Sequence, residues 1–577
     1  MKKFYVTTPI YYVNSEPHVG SAYTTMFADI MSRFYRLANY DVKFLTGTDE
    51  HGQKIEASAK KTGENPKEFV DRISEQFRDL VKLMEYSPNY FDVLGDNFIR
   101  TTMDCHILFV QNVWRKMVKN GWLYEGNYEG WYCVSDEAYY SEEELIPDGK
   151  GNFKTDLGKD VEWKKEKTYF FKLGELQKTL LKIYEKLPNL VRPVGKKSEV
   201  ISFISGLTMK DYLDGKSPKE NHLKDLSVSR NSFDWGIKIP CDLKGNELLD
   251  KNGEWKPEVP KEERHVIYVW FDALFNYLTA LGCDSHNNYK NYWLENDKKI
   301  HLIGKDILRP HAVYWPAFLV AFNYTIDEVQ KMTELDKNIE KFLPSTIFAH
   351  GWLTNEGLKI SKSLGNAVVP SAEIEWLKST YNLNEKTAVD YLKYYLIAAT
   401  PFGNDGDYSR ARLIEKINSD LANKIGNLAK RTLDMIYKNC DGKIPEIKNF
   451  DKIYSQNISN LTQQIDNFDI ISYLEAIMKT AEDANKYMDE NAPWKMFKEN
   501  KIEEMNKVLY SIANTIKNIG ILLQPICPNI AYKILKEIGL IKEDNQTISF
   551  SELNIDLKPL TQINEPTIII PRLQNKQ

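Results

Sequence analysis

The chain carries one strand-then-helix grammar twice, far apart in sequence, and that repetition constrains its fold more than any other feature. A short β-prone run from Lys3 to Thr8 ends at Pro9; after a polar loop, Ala22, Met26, Ile30, Phe34 and Leu37 recur at helical spacing, and Asp41 to Gly47 is again strand-like. Strand, crossover helix and strand imply parallel pairing, with helices covering the sheet. The grammar returns at 265–271 ("HVIYVWF") followed by "DALFNYLTAL", at 299–304 ("KIHLIG") followed by "KDILRPHAVYWPAFLVAF", and in Ser345 to Trp352. One parallel sheet, split in sequence, accounts for both blocks.

Between the blocks, roughly Trp114 to Ser229, aromatics and acids alternate in a way that predicts small antiparallel strands, hence an inserted domain. From about Asn384 onward strand signals fade, and Leu413, Ile417, Leu421, Ile425, Leu428 and Ile436 recur at spacings near three or four, which predicts a closing helical bundle. A chain of 577 residues needs several cores, and 42% hydrophobic with 12% aromatic residues can pack them. The net charge of -5 argues against wholesale nucleic-acid coating but leaves room for a local basic groove. "MKKFYVTTPI" turns polar at once, and no apolar run approaches the roughly 18 residues that span a membrane, so a cytoplasmic protein is expected. Six cysteines without a C-x-x-C pair predict packing residues, neither a disulfide framework nor a zinc knuckle.

In open parallel sheets, ligands sit beyond the carboxyl ends of the strands, where helix N-termini present free N–H groups. Polar residues crowd there: Tyr12, Asn14 and "PHVGS" (17–21) after the first strand, "TDEHG" (48–52) after the second, then Asp272, "GKDI" (304–307) and "AHGW" (349–352). On their own, His18 reads first as an ordinary residue preceding a helix and Ser21 as its N-cap; the functional reading sets His18 and the bare backbone of Gly20 against a phosphate. In "LKISKSLGN", Lys359 and Lys362 stand so close that their ammonium groups repel unless an anion lies between them, and a polyphosphate fits. "DGKS" (214–217) is no phosphate-binding loop, because Lys210 stands where that motif needs glycine.

Taken jointly, "TTPIYYVNSEPHVGSAYT", "TGTDEHGQKI", "VWFDALFNYL", "LIGKDI" and "HGWLTNEGLKISKSLGN" resemble the methionyl-tRNA synthetases of class I over essentially the whole chain. The resemblance implies an α/β protein: a Rossmann-like catalytic domain (1–114 and 230–325) split by an inserted connective domain (115–229), a signature-loop and linking region (326–383), and an α-helical anticodon-binding domain (384–577). It implies ATP-dependent ligation of methionine to tRNA(Met) through methionyl-adenylate, with Mg²⁺. "PHVGS" stands at the HIGH signature and "KISKS" at KMSKS, which would make His18, Gly20, Ser21, Lys359 and Lys362 catalytic. Asp49 would accept the methionine ammonium, and Ile10, Tyr12, Trp270, Ala273, Leu274, Tyr277, Ile307 and His311 would line the side-chain pocket. ATP would also meet Gly304 and Asp306 at the ribose, His350 and Gly351 near adenine, and Ser361 and Ser363 in the loop. Asn427 and Arg431, four apart on one helix face, and Trp494 would read the anticodon.

Three departures qualify the resemblance. Ser21 replaces the second histidine of HIGH; the insert lacks the family's cysteine quartet, so no zinc is expected; and the chain stops soon after the bundle, which predicts a monomer. The rival readings are a noncatalytic RNA-binding paralogue, disfavoured because His18, Asp49 and "KISKS" are all present, and a class I synthetase for another apolar amino acid.

Overall fold

The computed structural model describes residues 1–574 except 15, 135–137, 141, 149–151, 157, 283–286, 360–367, 401–402, 454–457 and 544–545, with backbone alone at 138–139, 143, 358–359, 458 and 554. Strand β1 (Lys3–Thr7) leads into helix α1 (Val19–Leu37) and β2 (Asp41–Leu45); β3 (Val191–Arg192), β4 (Lys299–Gly304) and β5 (Thr346–His350) follow much later. They form one sheet in the order β3-β5-β4-β1-β2, every pair parallel.

The alternation of side chains along these strands fills both faces. Phe4, Val6, Phe44, Ile300, Leu302 and Phe348 pack on the side of α1, whose Met26, Ile30 and Phe34 are fully buried against them. Tyr5, Leu45, Ile303 and Ile347 face the opposite layer with Trp293 and Trp315. The chain leaves β1 through α1 to β2 on one side and returns as β4 on the other, so the strand order reverses between β1 and β4. The crevice at their carboxyl ends is where this topology binds ligands.

Two sequence expectations change. Residues 265–271 are not one strand: Val266–Ile267 pairs antiparallel with Ser229–Arg230, and Val269–Leu274 is helix. A short, continuously apolar run carries no periodicity that separates strand from helix. Within the stretch 115–229, Val191–Arg192 belongs to the parallel sheet and not to a separate insert; two residues are too few to leave a sequence pattern. The remainder does contain the expected antiparallel unit, a hairpin of Leu123–Cys133 and Glu162–Phe171 edged by Ala138–Tyr140 and Leu226–Ser227.

The helical part begins with Glu385–Ala398 and continues in Arg410–Lys416, Ile417–Gly426 and Asn427–Asn439, with the junction residues Ile417 and Asn427 themselves helical. The middle segment is wound as a wider π-type helix, so three stretches form one uninterrupted rod. Ile470–Asn491, Ile502–Leu523 and Pro528–Glu537 complete the bundle. Its core is continuous with the α1 face of the sheet, since Phe34 meets Tyr473 and Phe550 directly. No helix among the described residues is long and apolar enough to cross a membrane.

Candidate functional site

The start of α1 is built around His18. Its extended backbone makes it the N-cap, and its Nδ1 accepts the Gly20 N–H at 3.0 Å. Ser21 closes the turn from the other side: its hydroxyl donates to the His18 carbonyl at 2.8 Å and accepts the His18 N–H at 3.1 Å. A Cβ on Gly20 would fall 2.8 Å from His18 Cε1, so only glycine lets the imidazole fold over the helix end. His18 is exposed, and the positive end of α1 opens with it toward the crevice.

Beyond β2 the chain runs through Gly47–Asp49, which pairs in parallel with Tyr11–Tyr12 on one side and Ile99–Arg100 on the other, placing Asp49 opposite Tyr12. A Cβ on Gly47 would sit 2.0 Å from the Ile99 carbonyl oxygen, so glycine is required for this pairing. Asp49 is 7% exposed. Its neighbour Glu50 is consumed internally: Arg100 donates to both carboxylate oxygens at 2.7 and 2.9 Å, with the hydroxyls of Thr48 (2.7 Å) and Thr102 (2.5 Å) completing the shell. Asp49, beside it, faces Tyr12 across the strand pair.

Below lies a buried relay that sequence reasoning did not assemble. His51 Nδ1 and His106 Nε2 bind the two oxygens of Asp272 at 2.7 and 2.8 Å, and His106 Nδ1 reaches Thr279 Oγ1 at 2.9 Å. Burial works to raise the Asp272 pKa, but the His51 charge and the hydrogen bonds from both imidazoles outweigh it and hold the carboxyl below its usual range. The relay ties "TDEHG" to the helix carrying Trp270, Ala273 and Leu274.

Of the predicted pocket residues, Leu274 and Tyr277 belong to one core layer, and Trp270, Tyr277, Ile307 and His311 are joined by direct contacts. Ala273, Leu274, Tyr277 and His311 are buried, while Ile10, Tyr12, Trp270 and Ile307 are half-buried and pack against the same core. Tyr277 donates to His311 Nε2 at 2.7 Å, and His311 Nδ1 donates to the Ile307 carbonyl at 2.9 Å. Burial lowers the His311 pKa to about 4, so the ring is neutral in this tautomer. Trp270 meets His311 edge-on with centroids 5.9 Å apart. Underneath, Tyr277 stacks on His301 at 4.1 Å, and His301 Nε2 accepts the Trp315 indole N–H at 3.2 Å. Such a wall suits an unbranched thioether, which gains from aromatic contact and asks for no polar partner.

On the other side of the crevice, His350 ends β5 and links it to α1: its Nε2 accepts the Thr24 hydroxyl at 2.7 Å, and its Nδ1 donates to the Gly351 carbonyl at 2.7 Å. Burial lowers its pKa. Gly304 ends β4, and Asp306 follows it exposed at the rim, with the Trp352 indole N–H at 3.3 Å from its Oδ1.

Leu353–Asn355 and Leu358–Lys359 form a tight hairpin through Glu356 and Gly357, both with positive φ (49° and 79°). Asp407 holds its turn, accepting the Thr354 hydroxyl and the Gly357 N–H at 2.7 Å each, and pairs with Arg412 at the foot of the long rod. The Lys359 side chain and residues Ser361, Lys362 and Ser363 lie outside what is described. Among the described residues no group of three or more His, Cys, Asp or Glu side chains could hold a metal ion.

At the far end of the rod, the Arg431 guanidinium lies 5.2 Å from the Trp494 ring centroid and donates to Asp489 at 2.8 Å. Asn427, Arg431 and Trp494 are all exposed. Pro493 starts Trp494's short helix after Ala492 turns the chain with φ 43°. A cation beside an exposed indole is the kind of surface on which unpaired bases can stack.

The chain matches known proteins over nearly its whole length. The family described as tRNA synthetases class I (M) matches residues 4–433, and the anticodon binding domain of methionyl tRNA ligase matches residues 445–577. The methionine–tRNA ligase of Rickettsia felis is 42% identical over 584 residues, covering 99% of this chain and 98% of that protein. Its counterpart from Thermotoga maritima is 37% identical over 544 residues, covering 93% of this chain and 75% of that protein. Among solved structures, Mycobacterium tuberculosis methionyl-tRNA synthetase in complex with methionyl-adenylate superposes with a TM-score of 0.82 at 36% identity, covering 99% of this chain and all of that one.

Proposed function

The chain belongs to the class I methionyl-tRNA synthetases, and from that premise we propose how its residues divide the work. The reaction is ATP-dependent ligation of L-methionine to tRNA(Met): methionine and ATP give methionyl-adenylate and pyrophosphate, and the tRNA then takes the methionyl group with release of AMP. The observation that carries it is the full-length structural match to a methionyl-adenylate complex.

In this reading Asp49 accepts the substrate ammonium in a charge-assisted contact strengthened by its burial. The Trp270–Tyr277–His311 wall encloses the side chain and leaves the carboxylate facing the α-phosphate. His18 and the first N–H groups of α1 receive phosphate oxygens, with Gly20 keeping that approach open. Ser21 serves the fold of this turn, which supports a serine in place of the usual second histidine. Lys359, Lys362, Ser361 and Ser363 hold the leaving pyrophosphate, Gly304 and Asp306 the ribose, and His350 and Gly351 border the adenine. These groups work by positioning and by neutralising charge that develops at phosphorus. Mg²⁺ carried in with ATP would add neutralisation of phosphate charge beside Lys359 and Lys362.

The functional units are residues 1–114 with 230–325, which also take Val191–Arg192 from within 115–229, then the remainder of 115–229, 326–383 and 384–577, with Asn427, Arg431 and Trp494 reading the anticodon. The reading extends to a cytoplasmic monomer; light scattering tests the monomer. Amino-acid-dependent ATP–pyrophosphate exchange tests the whole: exchange with methionine but not with leucine, isoleucine or valine is expected. Exchange with another of them refutes the pocket, and none at all refutes the enzyme.

A further inference from the structure

One loop crosses the adenosine side of the crevice so closely that it touches backbone. A Cβ on Gly351 would fall 2.2 Å from the Asn404 carbonyl carbon and 2.5 Å from the Asp405 nitrogen. That approach carries the Asp405 carboxylate over the "GKDI" turn. Lys305 Nζ lies 2.7 Å from both Asp405 oxygens, and Oδ1 also accepts the Trp352 backbone N–H at 2.8 Å. The Lys305 ammonium sits 4.2 Å from the centroid of the Trp352 ring, whose indole N–H reaches the Asp306 carboxylate.

Trp352 is thus fixed at three points: its backbone by Asp405, its face by Lys305 and its edge by Asp306. Asp306 has one further constraint, because a Cβ on Gly304 would lie 2.5 Å from its Oδ1; the carboxylate folds back over the bare end of β4. The Asp405 side chain is 53% exposed, and ion pairs that open to water add little to folding stability. What this arrangement does fix is direction. Burial acts to raise the Asp405 pKa, yet the Lys305 and Trp352 contacts prevail and keep the carboxyl below its usual range, so it is charged whenever the enzyme works.

We propose that Asp405 is a positioning residue for the ribose of ATP, setting the direction of the Asp306 carboxylate through Lys305 and Trp352. The proposal rests on the reading of Asp306 as the ribose contact. Asp405 comes from the segment that joins the helix Glu385–Ala398 to the rod, so the ribose contact is completed by a part of the chain far from "GKDI" in sequence.

The test is ATP–pyrophosphate exchange with ATP, 2′-deoxy-ATP and 3′-deoxy-ATP. Asp405→Asn should raise the KM for ATP about five- to tenfold, the scale of one misdirected hydrogen bond, and shrink the preference for ATP over the deoxy analogues by a similar factor. The KM for methionine and the Tm should stay as they are. Lys305→Met should do the same, and the double variant should be no worse than either single one, because the two act as a unit. Asp405→Glu should recover part of the preference. If Asp306→Ala abolishes the preference while Asp405→Asn and Lys305→Met leave it intact, the positioning role is overturned and the ribose reading survives. If Asp306→Ala keeps the preference, the ribose reading itself fails. Parallel rises in both KM values with a lowered Tm would make Asp405 merely structural and overturn the proposal.

Discussion

The Tyr277 hydroxyl donates to His311 Nε2 across 2.7 Å, with both side chains buried. That bond fixes the imidazole against Trp270, so the shape of the proposed methionine pocket depends on this buried proton. Tyr277→Phe leaves a buried nitrogen without its donor, which costs about 1–3 kcal/mol. The expected outcome is a KM for methionine raised about tenfold with the KM for ATP unchanged, read by pyrophosphate exchange.

Acid should loosen the fold in a defined window. Burial holds His311 and His265 at about 4, against 6.5 for an ordinary imidazole, and pushes His301 well below that ordinary value too. A group depressed in the folded state contributes stability above its unfolded pKa and loses it as pH falls through the folded one. The loss therefore begins below 6.5 and deepens toward 4, on the order of 3 kcal/mol for His311 over the full window. Asp390 acts in the opposite sense, since burial raises it from 3.8 to about 6 and its contribution fades as pH rises through that value. The histidines outnumber it, so urea unfolding at about pH 5 should show a lower stability than at about pH 7.5, and His311→Gln should flatten the difference.

Gly20→Ala should act at a distance of one methyl group. The new Cβ meets the His18 ring at 2.8 Å, and the ring must swing off the helix end. Adenylate formation in single turnover should fall about a hundredfold, the scale of one misplaced charge-stabilising group, while circular dichroism stays that of the parent.

At the bundle, Trp494→Ala removes the ring beneath the Arg431 guanidinium. The loss of one stacking platform is worth about 1–3 kcal/mol, so the KM for tRNA should rise about tenfold or more while pyrophosphate exchange without tRNA is untouched. Equal damage to both steps would mean that the helix Pro493–Lys498 had failed to fold.

Much of this was legible in the sequence, for physical reasons that differ from element to element. β1, α1 and β2 declare themselves because alternation and helical spacing are local patterns, and the residues after each strand declare themselves because parallel sheets bind ligands at that end. Val191–Arg192 and the helix Val269–Leu274 were not legible, one too short and the other too uniformly apolar to carry a period. The same limit hid the relay and the clamp. His106 lies 166 positions from Asp272, and Lys305 lies 100 from Asp405; such partnerships exist only once the sheet has gathered its strands. Arg100 was equally silent, although it engages both oxygens of the Glu50 carboxylate next to Asp49.

The helix running from Arg410 to Asn439 without a break has a mechanical consequence. Its foot is gripped by Asp407, which also grips the hairpin turn at Gly357, and its upper half carries Arg431. A helical lever roughly 40 Å long converts a tilt of about 5° at one end into a displacement of about 3 Å at the other. The ends of such a lever cannot move independently, and a nucleotide stacked on Trp494, as proposed, would lean on the same beam that Asp407 ties to the hairpin turn at Gly357.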